Sequence, residues 1–257
     1  MSNGRSTIFA DNYDTQLETP LYDLWHQWMG GWWGSNGLIL RSTSGGLSWV
    51  NESLNEHNNL SFYFVHFTSP TIGIALGSGD SYYEPGFYVA RTSDGGNSWT
   101  LQSSGLLNTM NHADRIDSTS LVTVGNSGLI LQSQNSGASW SFPMGASTPT
   151  LYAVDYYDSL FGMAVGDLGA MVKTVDGGNT WQEILTGSAT PLKSVQIVND
   201  SVVVAGGTQS SYYNSNYAQS ILYSSDAGGL WKNRARYAGS ISRSVDIAVR
   251  ACPIHPT

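Results

Sequence analysis

Five segments of this 257-residue chain end on a tryptophan and align with one another. They are STSGGLSW, TSDGGNSW, SQNSGASW, TVDGGNTW and SSDAGGLW, ending at Trp49, Trp99, Trp140, Trp181 and Trp231. The spacings between the tryptophans are 50, 41, 41 and 50 residues. Seven positions before each Trp stands Ser or Thr, namely Ser42, Thr92, Ser133, Thr174 and Ser224. Five before it stand Ser44, Asp94, Asn135, Asp176 and Asp226, and three before it is always glycine. A period of this size restricts the chain to repeat arrays. In such arrays each unit is one supersecondary element that buries its apolar face only against its neighbours.

The box has a local physical meaning. A short Asp or Asn side chain accepts hydrogen bonds from nearby backbone N–H groups. Glycine supplies a backbone angle that a Cβ would oppose, and the Trp fills the space beneath. The aspartates are therefore expected to be structural. Ahead of each box an apolar run ends in glycine (Gly34, Gly77, Gly125, Gly166, Gly206), and a second apolar run follows it. One more strand-like run precedes this pair, such as LSFYFVHF or LYAVDYYD, and another follows the Trp, such as WTLQSS. Each repeat thus holds four short strands, which is the make-up of a propeller blade with strands A to D running outward from the axis.

The string GMAVGDLGAMVKTVDGGNTW at 162–181 resembles the Asp-box, or bacterial neuraminidase, repeat. More closely it resembles propellers related to photosystem II stability and assembly factors. The resemblance spans about residues 20–250, with Ser44 and Asn135 departing from Asp. It implies a fold more than a function, because propellers of this kind include sialidases, xyloglucanases, sorting receptors and virion proteins. The expectation is an all-β chain forming one β-propeller domain over 1–257. Its five recognisable four-stranded blades fall at about 20–56, 57–106, 107–148, 149–189 and 190–238. Terminal strands at about 6–12 and 241–250 are expected to form a partial sixth blade, the first of them as an outer strand D. If the ends do not close the ring, the exposed strand edges become a site of assembly.

Composition narrows the function classes. The net charge is −8, with 11 Lys+Arg against 19 Asp+Glu, which argues against a general nucleic-acid backbone binder. No apolar run is long enough to span a membrane as a helix. The first 20 residues contain no apolar core of a secretory signal. A single cysteine, Cys252, removes any disulfide framework or Cys-rich metal site. No metal or cofactor is expected. His112 with Asp114 is the one suggestive pair among His26, His66 and His112.

Strand alternation suggests that one parity of strand A packs between blades and the other lines an axial channel. The packing parity is Leu24, Tyr63, Met110, Val154, Val195 and Val245. The neighbouring positions Trp25, Phe64, Asn111, Asp155, Gln196 and Asp246 then face the channel, with Asn111, Asp155, Gln196 and Asp246 as its polar lining. Eight before each Trp stand Arg41, Arg91, Gln132, Lys173 and Tyr223, expected as surface positions on strand C.

Two blades carry insertions between strands B and C, SGDSYYEPGFY at 78–88 and GTQSSYYNSNYAQS at 207–220. Tyrosine with Ser and Asn is the mixture that gives broad, adaptable contact. The candidate contacts are Tyr82, Tyr83, Glu84, Tyr88, Tyr212, Tyr213, Asn214 and Tyr217. The sequence therefore reads as a non-catalytic binding or assembly module for a protein or glycan. The alternatives are a virion or tail-associated structural protein and a glycoside hydrolase. The hydrolase would need two carboxylates facing across a cleft, for instance Glu84 with Asp155 or Asp246. The amino-terminal Arg-Ile-Pro motif of sialidases is absent. The low lysine content suits an exported or virion-associated protein.

Overall fold

The structure is a computed structural model that describes residues 8–11, 37, 39–42, 47–48, 50–52, 54, 60–79, 86–144, 149–201, 203–209 and 218–235. These residues form five sheets. The first holds β1 (Ile8–Asp11), β2 (Ile39–Ser42) and β3 (Val50–Asn51). The second is an antiparallel run of β4 (Leu60–Phe67), β5 (Gly73–Gly79), β6 (Gly86–Thr92) and β7 (Thr100–Ser103). The third repeats this order with β8 (Met110–Arg115), β9 (Leu121–Gly125), β10 (Ile130–Ser133) and β11 (Ser141–Met144). The fourth has β12 (Leu151–Tyr156), β13 (Gly162–Gly166), β14 (Met171–Thr174) and β15 (Gln182–Glu183). The fifth has β16 (Ser194–Ile197), β17 (Val203–Gln209), β18 (Ala218–Ser224) and β19 (Lys232–Ala235).

The sheets stack face to face in chain order, and each core lies between two of them. Ile39 of the first sheet packs with Leu60, Phe62, Ala75, Ala90 and Trp99 of the second. Leu76 and Phe87 of the second meet Met110, Leu121 and Leu131 of the third. Val124 and Ile130 of the third meet Leu151, Ala164 and Val172 of the fourth. Met163 and Met171 of the fourth meet Leu192, Val203 and Leu222 of the fifth. The second strand of the second, third and fourth sheets is buried on both faces, which explains its near-continuous apolar sequence. Each such side chain withdrawn from water contributes about 1.5–3 kcal/mol. A sheet of this size cannot stand alone, and stacking supplies what it lacks.

Two arrangements differ from the sequence expectation. Ile8–Asp11 pairs in parallel with β2 inside the first sheet, in place of an outer strand of a sixth. Residues 241–250 lie outside the described residues. The innermost strands also do not divide into a packing parity and a channel parity. Ala153 of β12 packs toward the fifth sheet, while Val154 packs toward the third. In a radial stack both faces of a sheet meet neighbours, so strand A turns its backbone edge to the axis.

Candidate functional site

The box builds one end of the stack. Thr92 Oγ1 donates to Asp94 Oδ1 at 2.8 Å and accepts from Gly96 N–H at 2.9 Å. Asp94 Oδ1 accepts from Ser98 N–H at 3.0 Å, and Oδ2 accepts from Ser98 Oγ at 2.6 Å. The same contacts recur around Asp176, with Thr174, Gly178 and Thr180. Asn135 keeps the pattern, accepting from Ser139 N–H and donating from Nδ2 to Ser139 Oγ. At Asp226 the last position is Leu230, so only its backbone N–H donates, at 2.8 Å. The box glycines Gly96, Gly137, Gly178 and Gly228 have φ between 74° and 87°, the left-handed region a side chain disfavours. Hydroxyl donation from Ser98 and Thr180 holds Asp94 and Asp176 well below the usual carboxylate range, to about 2 each. Trp99, Trp140 and Trp181 leave their buried indole N–H groups without an acceptor, so packing is their contribution. Trp231 donates to the Gly228 carbonyl oxygen at 3.1 Å. Trp49 lies outside the described residues.

Four of the residues eight before a Trp, Arg41, Arg91, Gln132 and Lys173, are inter-sheet staples rather than surface positions. Arg91 Nη1 donates to the Ser136 carbonyl oxygen at 2.9 Å. Gln132 Nε2 donates to Gly177 O at 2.7 Å, and Lys173 Nζ to Ala227 O at 2.8 Å. Each donor therefore reaches the carbonyl four before the Trp of the following sheet. Arg41 reaches the second sheet too, through Asn97 Oδ1 at 2.5 Å, and also pairs with Glu52 of its own sheet at 3.3 Å. The accepting residues Ser136, Gly177 and Ala227 are themselves left-handed. That turn directs their carbonyls at the preceding sheet.

A second seam runs along the innermost strands. Each is an edge strand, with backbone groups that no fifth strand pairs. Side chains of the preceding sheet pair them instead. Asn111 Nδ2 donates to Leu151 O at 2.7 Å, and His112 Nδ1 accepts from Val154 N–H at 3.4 Å. Asp114 Oδ2 accepts from Tyr156 N–H at 2.8 Å, and Asp155 Oδ2 accepts from Ile197 N–H at 2.5 Å. Burial pushes the Asp155 carboxyl up to about 7, the Ile197 N–H opposes this, and the Asp114 charge adds to it. Burial brings His66 down to about 4, aided by the Arg115 charge.

The structure thus redistributes the residues expected to line a channel. Asp155 stands between the fourth and fifth sheets, and Gln196, its counterpart one repeat later, is exposed. Asn111 is not their counterpart. A β-bulge after Met110 shifts the register, as one does after Leu151 and after Phe62. Asp114 and His66 occupy the position of Asp155, pairing with Val122 and Ile74 as Asp155 pairs with Met163. The recurrent strand-B glycine marks this register. A Cβ on Gly166 would strike Thr150 O and the Leu151 backbone, and one on Gly207 would strike Pro191 O and the Leu192 backbone. Gly207, not Gly206, is therefore the fifth member. Asp246 lies outside the described residues.

The opposite end carries the B–C connections. A–B turns share the box end, since Gly95, Ser136, Gly177 and Ala227 donate to Thr71, Thr119, Leu160 and Ser201 carbonyls. B–C turns meet the D–A connections, where Asn126 and Asp167 donate to Thr109 and Thr150 carbonyls. The hairpins β5–β6 and β17–β18 are seven residues per strand, against four or five in the third and fourth sheets. They rise from this same end, with the third and fourth sheets between them. Tyr88 lies within β6 and packs against the core between the first two sheets. Tyr82, Tyr83, Glu84, Tyr212, Tyr213, Asn214 and Tyr217 lie outside the described residues. Beside these hairpins Lys193 Nζ sits 3.0 Å above the Tyr152 ring centroid. Burial, then the Asp167 charge, raises the Tyr152 phenol. Among the described residues no three His, Cys, Asp or Glu side chains converge as a metal site. Nor is any helix there long and apolar enough to cross a membrane.

No family model and no curated protein sequence matches the chain. Solved structures do. YCF48 from Cyanidioschyzon merolae is similar at 17% identity and a TM-score of 0.51, over 80% of this chain and 81% of that one. An ancestral GH74 enzyme is similar at 16% identity and a TM-score of 0.57, over 78% of this chain but 30% of that one. A structure of YCF48 bound to D1 peptide aligns at 14% identity and a TM-score of 0.41, over 67% of this chain and 80% of that one. Likeness at such identities establishes architecture alone. With its radially stacked four-stranded sheets, the chain has a β-propeller fold.

Proposed function

We propose that this chain is a non-catalytic binding module that holds a protein or glycan partner on its B–C end. The observation that carries the reading is the pair of lengthened hairpins, β5–β6 and β17–β18, which rise from one end of the stack. They lead into the tyrosine-rich segments 80–85 and 210–217. Tyrosine presents large contact area with few rotors, and Ser and Asn add adaptable hydrogen bonding. The inner carboxylates support the same reading. Asp114 and Asp155 each give an oxygen to a backbone N–H of the next sheet, a structural duty.

The test is a glycan array and a peptide array probed with the full chain, its Tyr82→Ala/Tyr83→Ala variant and its Tyr212→Ala/Tyr213→Ala variant. The reading expects a partner whose signal falls about tenfold or more in at least one variant, as for interface aromatic anchors. Binding equal to the parent in both variants would remove this end as the site. Turnover of an arrayed glycan that is abolished by Asp155→Asn would establish a hydrolase instead.

A further inference from the structure

The junction of the fourth and fifth sheets holds a largely buried carboxylate, and among the described residues no cation is paired with it. Asp155 lies on the side of β12 that packs with Met163, Ile197 and Val203, an apolar cluster. Its Oδ2 takes the otherwise unpaired Ile197 N–H on the inner edge of β16. Strands β13 and β16 carry no ionisable side chain, nor does β17. From β8 come Asp114, whose like charge repels that of Asp155, His112, which accepts from Val154 N–H, and Arg115, whose charge acts on His66. On β12 itself Tyr152 and Tyr156 are phenols that burial keeps protonated. Lys173 of β14 is committed to Ala227 O and lies over the Phe161 ring, and Lys193, just ahead of β16, lies over the Tyr152 ring. Asp226 of the following box is held by Ser224 and Leu230.

We infer that this junction is a pH-responsive latch: neutral Asp155 closes the inner seam on Ile197, and ionised Asp155 releases it. A neutral carboxyl still offers its carbonyl oxygen to the Ile197 N–H, at no cost in buried charge. An ionised one brings uncompensated charge into an apolar junction that already faces Asp114. The sign follows from linkage. Asp155 titrates near 7 in the closed seam and in the ordinary carboxylate range once the seam opens to water. The seam is therefore tightest below about pH 4, weakens as pH rises toward about 7, and is constant above that. The fifth sheet carries the long β17–β18 hairpin, so the latch controls how firmly one of the two lengthened hairpins is held.

The experiment is amide hydrogen exchange at Ile197 in the full chain at pH 5 and pH 8, corrected for the intrinsic rate. Protection at Ile197 is expected to be about tenfold or more lower at pH 8, since one pKa unit corresponds to a factor of ten. Asp155→Asn keeps the acceptor and removes the titration, and should make protection equal at the two pH values. The same pH dependence in Asp155→Asn, or none in the parent, would overturn the inference. A measurement without any variant stands beside it. Carbon-detected titration of the Asp155 carboxyl should show an inflection near neutral pH, and an inflection near pH 4 would refute the latch.

Discussion

Gln132→Leu isolates the staple between sheets. Gln132 is 4% exposed, and its Nε2 donates to the Gly177 carbonyl oxygen across the junction of the third and fourth sheets at 2.7 Å. Leucine keeps most of the volume and removes the donor. The Gly177 carbonyl then faces an apolar side chain, and stranding a buried acceptor costs about 1–3 kcal/mol. The added apolar burial offsets part of this, leaving a net loss of about 1.5 kcal/mol. In a chain of this length about 1.5 kcal/mol corresponds to about 3–6 °C in Tm. Calorimetry or chemical denaturation of the two proteins reads the difference. Gln102→Leu, at an exposed position on the outer strand β7, is the matched control, expected within about 0.5 kcal/mol of the parent. Equal stability of the Gln132 and Gln102 variants would refute the claim that this slot joins one sheet to the next.

Gly105 and Gly137 have nearly equal φ, 76° and 74°, but a Cβ on Gly105 meets nothing within 4 Å while one on Gly137 strikes the Ile74 side chain of the preceding sheet. Gly105→Ala should lose about 1–2 kcal/mol of backbone preference, and Gly137→Ala about 1–3 kcal/mol more; equal losses by denaturation would contradict the close approach of these sheets. Asp94 and Asp176 are depressed to about 2, so their stabilisation is complete above the unfolded carboxylate value and is lost as pH falls through about 2. An Asp94→Asn/Asp176→Asn variant should therefore show a shallower loss of Tm between pH 4 and pH 2, and an unchanged acid limb would contradict the box chemistry.

The tryptophan period made the stack of four-stranded sheets legible, because the box must recur once per sheet for its turn to meet the sheet before it. The roles of Thr92, Thr174 and their counterparts were visible only as a column. Their hydroxyls act at short range on backbone groups that sequence does not place. Strand-A alternation misplaces Asn111 because a bulge inserts one residue there, and alternation alone cannot register an insertion; Phe64, beyond its own bulge, keeps the facing of His66 two residues later. Counting from the glycine instead, with Gly125, Gly166 and Gly207 at a strict spacing of 41, would have placed Asp114, Asp155 and Gln196 in one column. Arg91, Gln132 and Lys173 read as surface positions in the sequence because their polarity suggests solvent. In a radial stack each sheet face meets a neighbour, and a polar side chain there is matched by a carbonyl. Tyr88 shows the complementary case, an aromatic next to an insertion that belongs to the core.

The stacking of successive sheets is tested most directly by methyl-to-backbone nuclear Overhauser effects in a chain labelled at isoleucine and methionine methyls. Contacts are expected from the Ile74 δ-methyl to Gly137 and from the Met163 ε-methyl to Gly228, joining the second sheet to the third and the fourth to the fifth. Absence of both, with those methyls contacting only residues of their own sheets, would contradict the radial arrangement.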